Sequence, residues 1–280
     1  MCVLFVKFLK SAKPGEFKLI LASNRDELFK RPGKTAHFWE EDDNIFGGRD
    51  MTEEKEGGTW LAMSKKGRIG VLLNASGAPN PRKLGRGFLV PDFLKTSLTD
   101  KEYLEEVIKS REKYNSFHLV TADLGPKSML HYSNATDSPD ITEVTDGIFA
   151  VGNSSLKAPF QKVLRGKEKF HGICNRSGMV ERKEELVSDL LQFLKWEEKH
   201  YPDEVIDGMS HIPCPFKPNY GAVFVKSPDL SYGTRTHTVI LVDWKNRVDF
   251  YEWTLKDPIT PEHMEWYKTH QKFDITADSF

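Results

Sequence analysis

The first 28 residues contain two apolar runs separated by a turn, a pattern that predicts a β-hairpin. Residues 2–9 (CVLFVKFL) and 17–23 (FKLILAS) are strand-like, and residues 11–15 (SAKPG) are typical of a turn. A hairpin centred between Lys13 and Pro14 pairs Cys2 with Arg25 and places Asn24 and Asp26 on either side. The sequence therefore predicts that Cys2 begins a central strand, with its side chain in reach of Arg25 or Asp26.

The residues at this predicted strand end suit a thiol nucleophile. Removal of Met1 would leave Cys2 with a thiol and a free α-amine, whose reference pKa values are about 8.5 and about 7.7–8.0. A nucleophile and a weak base would then share one residue. Arg25 would favour the thiolate, and Asp26 would orient the amine. The alternative is an incidental cysteine beside an ordinary polar turn, and the hairpin pattern alone leaves both interpretations open.

The rest of the chain alternates hairpin-like pairs of strands with pairs of helices. Residues 31–58 are rich in glycine and proline turns and are predicted to be a loop region. A second hairpin is predicted over 59–64 and 68–74. Helices are predicted over 88–98, 101–111, 160–170, 181–196 and 261–268, and further strands over 117–124, 128–132, 147–151, 222–225, 236–242 and 248–253.

Because hairpins dominate and strand–helix–strand alternation is missing, the sheets should be antiparallel, with helices packed outside them. The expected fold is α+β, a four-layer α-β-β-α sandwich. The chain contains no repeat, low-complexity tract or linker-like segment. We therefore expect a single domain over residues 1–280.

Composition limits the partners and the compartment. Forty basic and 41 acidic residues give a formal charge of −1, so no nucleic-acid partner is expected. The three cysteines (Cys2, Cys174, Cys214) have no metal-site spacing and are odd in number, which favours a reducing compartment. No apolar run is long enough for a membrane span. We expect a cytoplasmic protein without stable membrane insertion, with mitochondria as a second location. The lysines and lack of acids in the first 15 residues resemble a mitochondrial presequence only weakly, because arginine and an amphipathic helix are missing there, and these residues are better interpreted as a buried strand.

Three further polar residues occur at predicted strand ends. Asn74 closes one strand, Asn153 closes another, and Arg235 begins a third. Each has an ordinary structural interpretation, a strand cap for the asparagines and an edge salt bridge for the arginine. Together with Cys2, Arg25 and Asp26, they would supply hydrogen-bond donors for an oxyanion and a substrate carbonyl.

Five motifs give the chain a recognisable resemblance. They are MC at the start, SNRDE at 23–27, KEGGTWL at 55–61, VGN at 151–153 and YGTRTHTVILV at 232–242. With these motifs the chain is similar to the transport and Golgi organization protein 2 family, which in fold resembles N-terminal nucleophile hydrolases, above all the bile-salt hydrolase and penicillin V acylase group. This resemblance implies a nucleophile at Cys2, an Arg25–Asp26 pair on the facing strand, and supporting roles for Asn74, Asn153 and Arg235.

The resemblance implies intracellular haem trafficking, with haem moved out of mitochondria or lysosome-related organelles, and a link to lipid and coenzyme A metabolism. We therefore expect a carrier rather than an enzyme. One alternative is an N-terminal cysteine hydrolase acting on a small amide or acyl thioester. Another is a protein that binds acyl-coenzyme A or lipid. The expected partner is haem or another amphipathic small molecule, with transient contact to an organelle membrane or acceptor protein allowed.

Haem would be a transient cargo, held by weak or single axial ligation and apolar contacts. No covalent haem motif or protein metal site is predicted. Cys214 precedes a proline, an arrangement found in some transient haem sites and also in ordinary proline-rich loops. Arg25 or Arg235 would pair with the propionates. The predicted ligand-binding residues are Asn24, Arg25, Trp60, Cys214 and Arg235.

Overall fold

The computed structural model describes residues 1–77, 80–136, 140–260 and 263–276. The described chain divides into two compact units. Unit 1 combines Met1–Arg31 with Asp146–Lys272, and unit 2 combines Pro32–Thr145 with the described residues from Phe273 onward. Each unit is described by itself below, and the single domain predicted for 1–280 stays a prediction.

Strands and helices are numbered in chain order within the described residues. The strands are β1 Val3–Phe8, β2 Phe17–Leu28, β3 Gly33–Trp39, β4 Asp42–Asp50, β5 Leu61–Ser64, β6 Arg68–Asn74, β7 Phe117–Asp123, β8 Ser128–Ser133, β9 Thr142–Glu143, β10 Gly147–Val151, β11 Lys226–Ser227, β12 Tyr232–Asp243, β13 Arg247–Leu255 and β14 Trp266–Asp274. The α-helices are α1 Leu89–Lys95, α2 Asp100–Lys109, α3 Gln161–Ser177, α4 Lys183–Leu194, α5 Glu204–Asp207 and α6 Lys217–Tyr220.

Unit 1 has a sheet with strand order β10-β1-β2-β12-β13-β14, and β11 pairs with β12. Helices α3 and α4 pack against each other and against strands of this sheet. The interface is aromatic: the Phe5 ring lies 5.9 Å from the Phe170 ring and 4.8 Å from the Phe193 ring. Phe5 of β1 is thus buried under α3 and α4, and this packing holds in place the strand that begins beside Cys2.

Unit 2 is a meander in which seven strands follow chain order from β3 to β9. Helices α1 and α2 pack on its central strands around the buried rings of Phe93, Phe117 and Tyr132. Helix α2 begins with a capping box, in which the Glu102 amide donates to Thr99 Oγ1 (3.3 Å) and the Thr99 amide donates to Glu102 Oε2 (2.9 Å). The α+β class with antiparallel sheets is therefore confirmed.

The prediction of a loop over residues 31–58 was wrong, since β3 and β4 lie there. Gly47 and Gly48 serve close packing rather than a turn. A Cβ on Gly47 would lie 2.6 Å from the Ala62 Cβ on β5, and a Cβ on Gly48 would lie 2.6 Å from the Trp60 ring. Glycine is needed here because the neighbouring strand and ring approach the backbone too closely for a side chain.

Two predictions in the C-terminal third were also wrong. A helix was predicted for 261–268, but the structure has strand β14 from Trp266 onward, because the edge of β13 supplies hydrogen-bond partners for its backbone. Residues 261 and 262 lie outside the described residues. The strand predicted for 222–225 does not form. Its backbone is satisfied differently: the Val223 carbonyl accepts from Asn24 Nδ2, and the Phe224 amide donates to the Trp196 carbonyl.

Candidate functional site

Strand register brings three of the predicted site residues to one edge of the sheet in unit 1. On the β1–β2 ladder Val3 pairs with Asn24, and one further step places Cys2 opposite Arg25. This is the register predicted from the hairpin, which is confirmed. On the other side of β1, Leu4 pairs with Val151, and continuing that ladder brings Cys2 level with Asn153. Cys2 therefore lies between the ends of two neighbouring strands.

The Cys2 thiol contacts the main chain of Asp26. The Asp26 amide donates to Cys2 Sγ at 3.4 Å, and Sγ lies 3.7 Å from the Asp26 carbonyl oxygen. The predicted closeness of Cys2 to Asp26 is thus confirmed. Burial raises the pKa of the Cys2 thiol, while the adjacent terminal ammonium and Arg25 act in the opposite direction. Loss of bulk water favours the thiol, so a nearby base is needed for its activation.

A buried group of charges, here called the amino-terminal cluster, consists of Met1, Asp26, Lys162 and Tyr232. The Met1 ammonium lies 3.0 Å from Asp26 Oδ2 and donates to the Tyr232 hydroxyl. Lys162 Nζ donates to the Met1 carbonyl oxygen at 3.0 Å and lies 4.0 Å from Asp26 Oδ2. The second Asp26 oxygen, Oδ1, accepts from Thr234 Oγ1 at 2.6 Å. One carboxylate therefore holds the chain terminus and faces a buried lysine.

Burial shifts the titration of this cluster. It lowers the pKa of the Met1 ammonium, although Asp26 acts in the opposite direction, and it lowers the pKa of Lys162 against the same carboxylate. Burial also raises the pKa of Tyr232. Each shift favours the uncharged form of the group, as expected where water is excluded. A lowered pKa leaves more of the Met1 amine unprotonated near neutral pH, and only the unprotonated form of an amine can accept a proton.

The two candidate arginines have different surroundings. The Arg25 guanidinium is 8% exposed and its Nη2 lies 3.8 Å from Glu27 Oε2. Arg235 is 2% exposed. Its Nη1 donates to the Leu28 carbonyl (3.2 Å) and the Arg31 carbonyl, and its Nη2 lies 2.8 Å from Asp257 Oδ1. These contacts fit the structural interpretation of Arg235, and its proposed catalytic and ligand-binding roles stay predictions.

Asn24 is fully buried and its amide is used inside the unit. Its Nδ2 donates to the Leu194 and Val223 carbonyls at 2.8 and 2.9 Å, and its Oδ1 lies 2.6 Å from His237 Nδ1. This amide therefore joins β2 to the end of α4 and to β12. A role for Asn24 in ligand binding stays a prediction.

The remaining candidates lie at separate places. Asn153 is 6% exposed and follows β10 in unit 1. Asn74 ends β6 in unit 2 and is exposed, and Trp60 of unit 2 packs over Gly48. Cys214 is an exposed free thiol that begins a short 3₁₀ turn over Cys214–Phe216. Of the predicted residues, unit 1 therefore brings Cys2 together with Arg25 and Asp26, and Asn153 lies two residues beyond the end of the neighbouring strand β10.

Sequence reasoning missed Lys162, Tyr232 and Thr234. Lys162 did carry a signal, because it falls on the buried stripe of α3 with Gly166, Phe170 and Ile173. A lysine at a position that helical periodicity assigns to the core is unusual, since lysine is rarely buried. The two β12 residues carried none, because alternating threonines and tyrosines are ordinary in strands.

Unit 1 also contains a cavity of about 240 Å³ with mostly apolar walls. Lys226 at this cavity lies 2.5 Å from Glu197 and contacts the Phe224 ring, whereas Lys195 is exposed. Thr234, which donates to Asp26, is part of the wall. The lining residues are Phe29, Lys195, Phe224, Val225, Lys226, Pro228, Thr234, Leu255, Met264 and Trp266.

Within the described ranges, no group of three or more metal-binding side chains is close enough to hold an ion. None of the helices in the described part of the chain is both long and apolar enough to cross a membrane.

The chain has close relatives along nearly its whole length. It is 36% identical to Transport and Golgi organization protein 2 of Drosophila melanogaster (98% of this chain, 99% of that one) and 38% identical to the Homo sapiens homolog (92% and 94%). A conjugated bile acid hydrolase variant from Clostridium perfringens superimposes with a TM-score of 0.49 at 8% identity, over 99% of this chain and 98% of that one. The sequence profile described as Transport and Golgi organisation 2 matches residues 1–257. The chain therefore belongs to the Transport and Golgi organisation 2 family.

Proposed function

We propose that this protein hydrolyses a small amide or acyl thioester by acyl transfer to Cys2 after removal of Met1. The observation that carries the proposal is the position of the Cys2 thiol against Asp26, whose carboxylate also holds the chain terminus. Thiol, terminal amine and orienting carboxylate are the groups that an N-terminal nucleophile requires.

The reaction follows from these groups. The α-amine of the shortened chain takes the thiol proton, and the thiolate attacks the substrate carbonyl carbon. Arg25 and Asn153, which follow the strand residues that pair with the start of β1, are suited to stabilise the negative charge that develops. The α-ammonium returns its proton to the leaving group, and water then hydrolyses the acyl thioester to regenerate the thiol.

The test is acylation of Cys2 by p-nitrophenyl acetate. We expect intact-mass spectrometry to find a transient acetyl group on protein that has lost Met1, with release of p-nitrophenolate. Cys2→Ala should abolish both signals, because the acylated atom is removed. Cys214→Ser is the matched control, since it removes an exposed thiol outside the cluster and should leave the acylation rate unchanged. Acetylation confined to Cys214, or equal in Cys2→Ala, would reject the proposal.

The cavity in unit 1 favours a second candidate function, transient carriage of haem or a similar amphipathic anion. Its aromatic and aliphatic walls suit the edge of a macrocycle, and Lys195 and Lys226 suit its carboxylates. The Met264 thioether is a further lining group of the kind that ligates haem iron. We propose that a carrier would act in the cytoplasm, with mitochondria as the second location, and would meet an organelle membrane or acceptor protein only transiently.

Haem titration followed by absorbance and tryptophan fluorescence tests this second candidate. Lys195→Glu should weaken binding about tenfold, because a carboxylate loses a charged partner and gains a repulsive one. Lys199→Glu is the matched control: it is an exposed lysine nearby in sequence that does not line the cavity. Cys2→Ala should leave haem affinity unchanged. Equal weakening by the two lysine variants, or no saturable binding, would count against carriage at this cavity.

A further inference from the structure

Lys162 is a lysine without solvent exposure, in the first turn of α3. Removing an ammonium from water is unfavourable even after the protein relaxes, so an apolar side chain would usually be more stable at such a position. The positive end of the α3 dipole makes a cation less favourable still. A lysine at this position therefore suggests that its N–H groups have a use.

The partner of Lys162 indicates that use. Nζ donates to the Met1 carbonyl oxygen at 3.0 Å, and this oxygen belongs to the amide bond that joins Met1 to Cys2. An amide carbonyl adjacent to the thiol residue is therefore held by the lysine. Asp26 Oδ2, 4.0 Å from Nζ, balances the positive charge. Once Met1 is removed, this carbonyl leaves and Nζ loses its acceptor beside the nucleophile.

We propose that Lys162 donates from Nζ to the carbonyl oxygen of the acyl group that reacts at Cys2, and that the Met1 carbonyl marks where this oxygen binds. The inference rests on the proposed acyl transfer and adds a catalytic residue to it. As the C–S bond forms, the electron pair of the carbonyl double bond moves to oxygen, and the hydrogen bond from Nζ strengthens. When the oxyanion collapses, the bond to the leaving group breaks and the leaving group takes a proton from the α-ammonium.

Lys162 fits this role better than Arg235 does. Both terminal nitrogens of Arg235 already donate to backbone carbonyls and Asp257, which are permanent parts of the fold. The acceptor of Lys162, by contrast, is lost with Met1. An amine and an ammonium both carry N–H groups, so Nζ remains a donor in either protonation state.

The test compares two reactions of the same thiol. Acylation by p-nitrophenyl acetate creates an oxyanion, whereas alkylation by iodoacetamide does not. Both rates are measured on Cys2 in full-length Cys214→Ser protein lacking Met1. Lys162→Met should slow acylation about 100-fold, as expected for loss of one oxyanion donor, and should change alkylation less than about threefold. Lys167→Met, an exposed position on the same helix, should change neither rate.

Each other outcome overturns the inference. If both reactions slow equally, Lys162 acts on the thiol rather than on the carbonyl oxygen. If acylation of Lys162→Met is normal, Lys162 has no role while the proposed acyl transfer stands. If the wild-type thiol is not acylated at all, both the proposed function and the proposed role of Lys162 are rejected. Should Lys162→Met not fold, as judged by circular dichroism, the same two rates in Lys162→Leu, which also lacks an N–H donor, decide.

Discussion

Replacing Asp26 with Asn is expected to lower the free energy of unfolding by about 3–5 kcal/mol, the usual cost of breaking a buried charge pair. The Asp26 side chain has no exposure, and its Oδ2 faces the Met1 ammonium at 3.0 Å and Lys162 Nζ at 4.0 Å. An amide would leave both cations buried without a counter-charge. Its smaller partial charge would also weaken the hydrogen bond from Thr234. Urea denaturation of the full chain measures the loss.

Two variants show whether charge is the cause. Glu106→Gln removes an exposed carboxylate (58% exposed) that pairs with Lys109, and it should cost less than about 0.5 kcal/mol. In the double variant Asp26→Asn, Lys162→Met, the Lys162 cation that has lost its counter-charge is also removed. We expect the double variant to be more stable than the sum of the single losses predicts. Strict additivity would mean that Asp26 and Lys162 do not interact energetically.

Acidification from pH 7 to pH 5 is expected to lower the free energy of unfolding by about 4 kcal/mol through two buried histidines, about 2 kcal/mol each. Burial lowers the pKa of His237 to about 3, with a smaller contribution from Lys195. Burial also lowers the pKa of His131 to about 3, with a contribution from His118, whose ring is stacked on it at 5.3 Å. Both imidazoles are therefore neutral in the folded protein.

The direction follows from the two states. The unfolded histidines titrate near their ordinary pKa of about 6.5. Between about pH 6.5 and pH 5 they therefore bind protons, whereas the folded imidazoles stay neutral. The stability from a neutral buried imidazole is therefore complete above about pH 6.5 and is lost as the pH falls from there toward the folded pKa of about 3. Urea denaturation at pH 7, 6 and 5 measures the slope.

Variants of single histidines assign this slope. His131→Gln should be less stable at pH 7, but its dependence on pH should fall by about half, since one of the two titrating groups is gone. His171→Gln is the control, because His171 is exposed on α3 and its removal should leave the slope unchanged. A wild-type protein equally stable at pH 5 and pH 7 would contradict the burial of both imidazoles.

Much of the site follows from local sequence rules. The turn at Lys13 and Pro14, with an apolar run on either side, determined that Cys2 faces Arg25, because the centre of a hairpin turn fixes which residues of its two strands pair. The helix start at Thr99 was likewise local, because its capping partner lies three residues away. Register and caps depend on neighbours in the chain, and a sequence displays those neighbours directly.

Only the tertiary structure decided what surrounds Asp26. Thr234 reaches it across 208 residues and Lys162 reaches the Met1 carbonyl across 161, distances at which no local pattern specifies a partner. The same holds for β4 and β14, where glycine-rich or helix-like segments became strands because a neighbouring strand offered an edge and took up their backbone hydrogen bonds. The sequence by itself therefore determined the strand that carries the thiol. The charges that would govern that thiol depend on which distant segments are buried together.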